Sequence, residues 1–245
     1  MALPRFLHSP LPPSGLVQLD DAEARHASQV LRLQLGASIE LFDGQGGEAR
    51  ALIANVSKKS VHVEIVQRSD TNRELLCPLE LLVALPKGDR QKTLIDGLVQ
   101  YGTTQLTPLN CERGVAQPTE GALERLRRSV VESSKQCGRN QLLRISTPQS
   151  INSLVTAQCD PSRCLSVVAH PYGSLSTLRE IIAAKIVQGD IAEARVAIGP
   201  EGGFTEAEID QFTQAGWTTV ALGPRLLRIE FAALQVASWW ATLKS

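Results

Sequence analysis

Three short stretches carry residue types suited to close ligand approach. Val196-Ala197-Ile198 runs into Gly199-Pro200-Glu201-Gly202-Gly203-Phe204-Thr205. Val220-Ala221-Leu222 runs into Gly223-Pro224-Arg225-Leu226-Leu227-Arg228. Ser166–Ala169 runs into His170-Pro171-Tyr172-Gly173. Each is an apolar run ending in a Gly/Pro turn. Glycine lets backbone approach a ligand closely and adopt positive φ. Main-chain N–H and C=O groups can then read the edge of a purine without charged side chains. In open α/β sheets ligands bind outside the carboxyl ends of the strands. One such loop is as readily a plain strand-to-helix turn, but three at successive strand ends favour a shared ligand. There is no GxxxxGK[ST] and no GxGxxG after a strand. Neither a P-loop nor the dinucleotide fingerprint therefore holds that ligand.

The elements that must position these loops alternate along the chain. Leu79–Leu85 is a continuous apolar run, as in a strand buried on both faces. A turn at Pro86–Asp89, a helical stripe over Lys92–Gln100 and a strand at Gln105–Leu109 complete a βαβ unit. Helices are predicted at Gly121–Gln136, Leu175–Val187, Thr205–Ala215 and Ile229–Leu243. Strands are predicted at Cys164–Ala169, Ala194–Ile198 and Trp217–Leu222. Thr205 and Glu208 have capping-box spacing. The first 70 residues or so differ: Ser38–Phe42, Ala49–Val56 and Ser60–Val66 read as short strands joined by Gly turns, with one helix over Asp20–Leu33. Arg68–Leu75 reads as a linker. The expected architecture is a small β-barrel (residues 1–70) followed by a parallel α/β domain (residues 76–245).

Bulk properties narrow the class. The chain of 245 residues has 25 basic and 25 acidic side chains, so any nucleic-acid site must be a local patch. Five cysteines with no CxxC pair and no His cluster predict neither zinc nor a disulfide framework, which suits a reducing cytoplasm. Prolines interrupt the N-terminus, so no signal peptide is expected there, and no apolar run is long enough to span a membrane.

The residues also resemble a known family. IGPEGGFT at Ile198–Thr205, followed by LGPRLLR at Leu222–Arg228, looks like the signature of the uridine-N3 methyltransferases of small-subunit (16S) ribosomal RNA, members of the SPOUT superfamily. PRFL at Pro4–Leu7, the RHxxxVLR stretch Arg25–Arg32, LFDGQGGEARA at Leu41–Ala51, KGDR at Lys87–Arg90 and KQCGR at Lys135–Arg139 extend the match over nearly the whole chain. The resemblance implies a PUA-like N-terminal barrel that holds RNA and a C-terminal α/β domain with a parallel sheet and a deep trefoil knot. It further implies S-adenosyl-L-methionine as cofactor, 16S rRNA or the small ribosomal subunit as partner, and a homodimer, with no metal and no membrane.

By resemblance, Gly199, Pro200, Gly202, Gly203, Leu222, Gly223, Leu226 and Leu227 bind the cofactor. His170 either lines the same pocket or is an ordinary loop histidine. Glu201 either orients a loop amide, caps the following helix or contacts substrate. The cofactor supplies an activated methyl group. Uridine N3 must lose a proton, and a cation beside the base would stabilise the developing imidate charge. Arg139 and Arg228 are the candidates from matched motifs. Ala122–Arg144 carries six basic and two acidic residues, which reads either as a solvated helix face or as a phosphate-binding patch. Arg25, His26 and Arg32 share a broad helix face and, with Arg5, are the candidate RNA contacts.

The sequence departs from the family at Gln100-Tyr101-Gly102, where an acidic residue usually precedes Leu-Gly. It departs again at Ile229 and Phe231, where small polar residues are usual. These departures motivate an alternative, a non-catalytic RNA-binding or ribosome-assembly protein that retains the fold.

Overall fold

The computed structural model describes residues 3–57, 60–115, 117–156, 160–171, 178, 180–181 and 191–242. Contacts divide the chain into two units. One is Met1–Glu74 with Val131–Leu142, and the other is Leu75–Val130 with Leu143–Ser245.

In the first unit β1 (Arg5–Leu7), β2 (Gly15–Gln18), β3 (Ser38–Phe42), β4 (Glu48–Val56) and β5 (Val61–Ser69) form a sheet in the order β1-β3-β4-β5-β2. Period-2 alternation turns Ile39 and Leu41, Ala49, Ala51 and Ile53, and Val61, Val63 and Ile65 into one buried core with Phe6. β1 and β2 lie where the sequence suggested no strand. The predicted helix Asp20–Leu33 is shorter than expected. The Asp20 carboxylate accepts the N–H groups of Ala22 and Glu23 at 2.9 and 2.8 Å and caps α1 (Asp21–Arg25). The chain then widens into a π-helical turn, His26–Val30, and Arg32 ends it at φ +52°. Such one-turn widenings tend to mark functional surfaces.

Val131–Leu142 belongs with this unit because its polar groups are used there. Asn140 Nδ2 donates to the carbonyls of Gly46 and Thr71 at 2.8 and 2.9 Å, and Lys135 pairs with Glu23 at 2.7 Å.

The second unit is built on parallel strands: β6 (Leu79–Val83), β7 (Gln105–Asn110), β8 (Arg144–Ile145), β10 (Cys164–Ala169), β11 (Glu193–Ile198) and β12 (Thr218–Val220). Their order is β12-β10-β11-β6-β7-β8, and β9 (Gln149–Ser150) pairs with the far end of β7. The helices are α2 (Arg90–Gln100), α3 (Glu120–Cys137), α4 (Ile151–Thr156), α5 (Glu206–Gln214) and α6 (Ile229–Ala241). Leu82, Ala197 and Val168 share one sheet face with Ile151, Leu154, Phe212 and Trp217. Helix α6 packs against β6, β11 and α2. Gly97 allows that approach, since a Cβ there would sit 2.2 Å from Leu234 Cδ2. The helix predicted at Leu175–Val187 falls outside the described residues except at Leu178, Glu180 and Ile181.

The sequence predicted no disulfide framework, yet Cys164 is disulfide-bonded. An odd cysteine count excludes only complete pairing. Cys77, Cys111 and Cys137 are free. Among the described residues no helix is long and apolar enough to cross a membrane, and no cluster of His, Cys, Asp and Glu has the makings of a metal site.

Candidate cofactor-binding site

β11, β10 and β12 are neighbours, with Ala169 in register with both Ile198 and Val220. Their carboxyl ends therefore open together. The glycine-bearing turns after β11 and β12 leave the sheet beside His170 and Pro171 after β10, and together they line a cavity of about 310 Å³; Tyr172 and Gly173 lie outside the described residues. His170 and Pro171 form the wall after β10. Gly199, Pro200, Glu201, Gly202 and Gly203 form the wall after β11. Leu222, Gly223, Leu226 and Leu227 form the wall after β12. A space of this size, lined by apolar side chains, backbone polar groups and a few charged side chains, suits a small organic ligand.

Each wall is braced from behind. A Cβ on Gly199 would come within 3.0 Å of the Phe204 ring, and Phe204 stacks edge-on against Phe212 at 5.3 Å. The Gly203 N–H closes a turn on the Pro200 carbonyl at 2.8 Å with Gly203 at φ +70°. Thr205 and Glu208 form the predicted capping box at the start of α5. Gly223 has φ +130°, and a Cβ there would meet nothing within 4 Å, so glycine keeps the space open. The Leu222 carbonyl accepts a hydrogen bond from Gln235 Nε2 of α6 at 2.8 Å, and the His170 N–H donates to the Val220 carbonyl at 2.9 Å. These backbone cradles suit a ligand held largely through main-chain groups.

Glu201 pairs with Arg90 at 2.8 Å, and Arg90 also lies 3.9 Å from the buried carboxylate of Glu230. Arg90 belongs to the KGDR turn. Two of the matched motifs thus meet at one guanidinium.

The other sequence-predicted residues lie elsewhere. Arg139 is buried, and its Nε and Nη2 are bound to the Glu74 carboxylate. It is not among the lining residues of the cavity. Arg228 is exposed at the N-cap of α6 and is not a lining residue either. Arg5 is also enclosed: it pairs with Glu40 at 2.6 Å, lies over the Phe42 ring at 4.8 Å and donates to the Ser134 and Arg139 carbonyls. His26 stacks edge-on against Phe6 at 5.9 Å. Arg25 and Arg32 are exposed.

Two lining residues carry no sequence signal: Arg113, which follows β7, and Arg225 in the loop after β12. No motif marks Arg113, because it reaches the site from a different part of the sheet. Of the departures, Ile229 lines the cavity as an apolar wall, while Phe231 and Tyr101 are exposed.

A cleft at the carboxyl ends of a parallel sheet, in a chain that also carries a PUA-like β unit, defines the class. A family profile described as RNA methyltransferase domain matches residues 73–241, and one described as RNA methyltransferase PUA domain matches residues 19–66. Curated proteins named ribosomal RNA small subunit methyltransferase E are similar throughout. That of Bacillus subtilis is 30% identical over 88% of this chain and 86% of its own length, and that of Synechocystis is 30% identical over 86% and 68%. The chain belongs to the ribosomal RNA small subunit methyltransferase E family. Among solved structures, a Legionella pneumophila methyltransferase with bound S-adenosylmethionine superposes with a TM-score of 0.87 at 28% identity, over 98% of this chain and 97% of that one. The small subunit methyltransferase E of Neisseria gonorrhoeae, also with S-adenosylmethionine, gives 0.86 at 27% identity, over 96% and 95%.

Proposed function

We propose that this chain transfers a methyl group from S-adenosyl-L-methionine to uridine N3 of 16S rRNA in the small ribosomal subunit, in the cytoplasm. The observation that carries the reading is the meeting of three neighbouring strand ends around one cavity, two of them running into described glycine-rich turns. The names of the relatives and the cofactor bound in the two solved structures support it. When bound, the cofactor supplies the methyl group already activated as a sulfonium. The chain's task is then to bind, orient and exclude water. Gly199, Gly202, Gly203 and Gly223 present backbone, while Ile198, Leu226, Leu227 and Ile229 present apolar surface. Exposed Arg25 and Arg32 supply charge for an RNA backbone.

The homodimer and the trefoil knot belong to the same proposal. Phe231 is an exposed apolar side chain on α6 outside the cavity lining, which supports an interface between copies. The chain also returns from the edge strand β12 to the middle of the sheet, where α6 packs on β6 and β11. Such a return is what threading would need.

Two measurements test the function. Titration calorimetry with S-adenosylmethionine should give saturable heat. Labelled methyl groups should then pass to small subunits from cells lacking the enzyme, with the label at uridine N3. Binding without transfer would favour a ribosome-assembly protein that retains the fold.

A further inference from the structure

We propose that Arg113 is a catalytic residue, its guanidinium donating to a uracil carbonyl oxygen as negative charge gathers there. The proposal rests on the uridine-N3 reading above. The described cations that line the cavity are Arg113 and Arg225. They differ in how they are held. Both are exposed, and Arg225 makes no hydrogen bond or ion pair to described residues. The loop carrying Arg113 is fastened twice and the Arg113 side chain once. Arg113 sits in a turn closed by the Gly114 N–H on the Cys111 carbonyl at 2.9 Å. The next residue back, Glu112, donates its N–H to Glu208 Oε1 at 2.8 Å, while Glu208 Oε2 accepts the Thr205 N–H at 2.8 Å. Arg113 Nη1 then donates to the Gly202 carbonyl at 3.0 Å. The capping-box glutamate thus fastens the loop after β7 to the loop after β11, and Arg113 spans the two.

One hydrogen bond uses one of five guanidinium donors. No described carboxylate pairs with Arg113, which leaves its other guanidinium donors facing the cavity lip. A cation already held in place costs no reorganisation when charge develops. The chemistry needs one there. As the N3–H bond breaks, the proton passes to solvent water, and the electron pair stays on N3, spread onto O2 and O4. N3 then bonds to the methyl carbon while the carbon–sulfur bond breaks, its pair remaining on sulfur as a neutral thioether. A donor to O2 or O4 strengthens as the charge grows, so it raises kcat more than substrate affinity.

The test compares wild type with Arg113→Gln, which keeps a donor for the Gly202 carbonyl, and Arg113→Ala. Cofactor Kd is read by calorimetry. Single-turnover transfer is read on small subunits assembled with uridine or 5-fluorouridine, whose N3 is the more acidic. Arg113→Gln should lose about 10²–10³-fold in rate with Kd changed by no more than about twofold. The 5-fluorouridine substrate should restore roughly tenfold or more of that loss. A Kd loss as large as the rate loss would make Arg113 a cofactor anchor and overturn the proposal. So would an unchanged rate, or an equal loss on both substrates. A wild-type protein that gives no cofactor heat and no label at N3 would overturn the functional reading itself, and this inference with it.

Discussion

Arg90 and Glu230 stand 3.9 Å apart, a half-exposed guanidinium facing a carboxylate that is 3% exposed, and the same guanidinium holds Glu201 at 2.8 Å. Arg90 thereby joins the starts of α2 and α6 to the cofactor-side loop. The Glu201 pair is largely in water and contributes at most about 1 kcal/mol. The Glu230 carboxylate is different, since Oε2 has no hydrogen-bond partner among the described residues. Removing Arg90 leaves that buried charge without its counter-ion, a cost of about 1–3 kcal/mol. Arg90→Ala should therefore lower the urea midpoint while weakening S-adenosylmethionine binding no more than about fivefold. Adding Glu230→Gln should return most of the stability and none of the affinity. A double variant no more stable than the single one would show that Arg90 does not offset the burial of Glu230.

Two glycines separate binding from folding. Gly223 has φ +130° beside open space, so Gly223→Ala strains the backbone by about 1–3 kcal/mol and intrudes on the cavity without a clash. Its S-adenosylmethionine Kd should rise about tenfold or more. Gly97 lies under α6, where a Cβ would sit 2.2 Å from Leu234 Cδ2. Gly97→Ala should cost about 1–3 kcal/mol of stability through overpacking and leave the Kd unchanged. Calorimetry and urea unfolding on both variants check this; reversed effects would mean that the cradle is not where the structure places it.

Much of this site was legible because its parts are contiguous. Each glycine-bearing loop follows a strand whose apolar run is continuous, and β10, β11 and β12 happen to be neighbours in the sheet, so successive strand ends became one cavity. What lay outside the sequence was anything set by distant contacts. Arg113 and Gly202 are 89 residues apart. Arg5 and Arg139 matched family motifs as strongly as the glycines did, yet their guanidiniums face carboxylates of Glu40 and Glu74 that no spacing rule brings near. Even the unit boundary follows this rule. Val131–Leu142 joins the first unit through Asn140 and Lys135, which act across gaps of up to 112 residues in the chain. The short strands β1 and β2 have too few residues to show a period.

Glu48 is the electrostatic centre of the first unit. It accepts hydrogen bonds from Ser69 at 2.8 Å and from Arg73 at 2.7 and 3.1 Å, with Arg5 and Asn140 at 3.4 Å. Burial by itself would raise its pKa. The Arg73 and Ser69 hydrogen bonds and the Arg73 charge outweigh that and hold the carboxyl below its ordinary 4.5. A carboxyl with a depressed folded pKa contributes stability above its unfolded value and loses it as pH falls through the folded one. Wild type should therefore shed stability as pH drops below about 4.5. Glu48→Gln should start less stable at neutral pH but show a flatter acid limb. Urea midpoints from circular dichroism at neutral pH and through the acid range provide the check, and parallel acid limbs would rule Glu48 out as the cause.

The Cys111 thiol, two residues before Arg113, has the opposite behaviour. Burial, with the Glu208 charge second, pushes its pKa from 9.0 up to about 12. The folded protein therefore keeps it as a neutral thiol where the unfolded chain would ionise it. Its contribution to stability is present below pH 9 and is lost as pH rises from there toward 12. Reactivity follows the thiolate. In mildly alkaline iodoacetamide the exposed Cys137 should be alkylated first, and Cys111 should stay unmodified until denaturant is added. Because burial is the larger cause, Glu208→Gln should quicken Cys111 alkylation only severalfold, far short of the unfolded rate. Peptide mass spectrometry resolves the two sites. Native Cys111 reacting as fast as Cys137 would mean that the loop carrying Arg113 opens to solvent, and the tight fastening by Glu208 that positions the guanidinium would have to be abandoned.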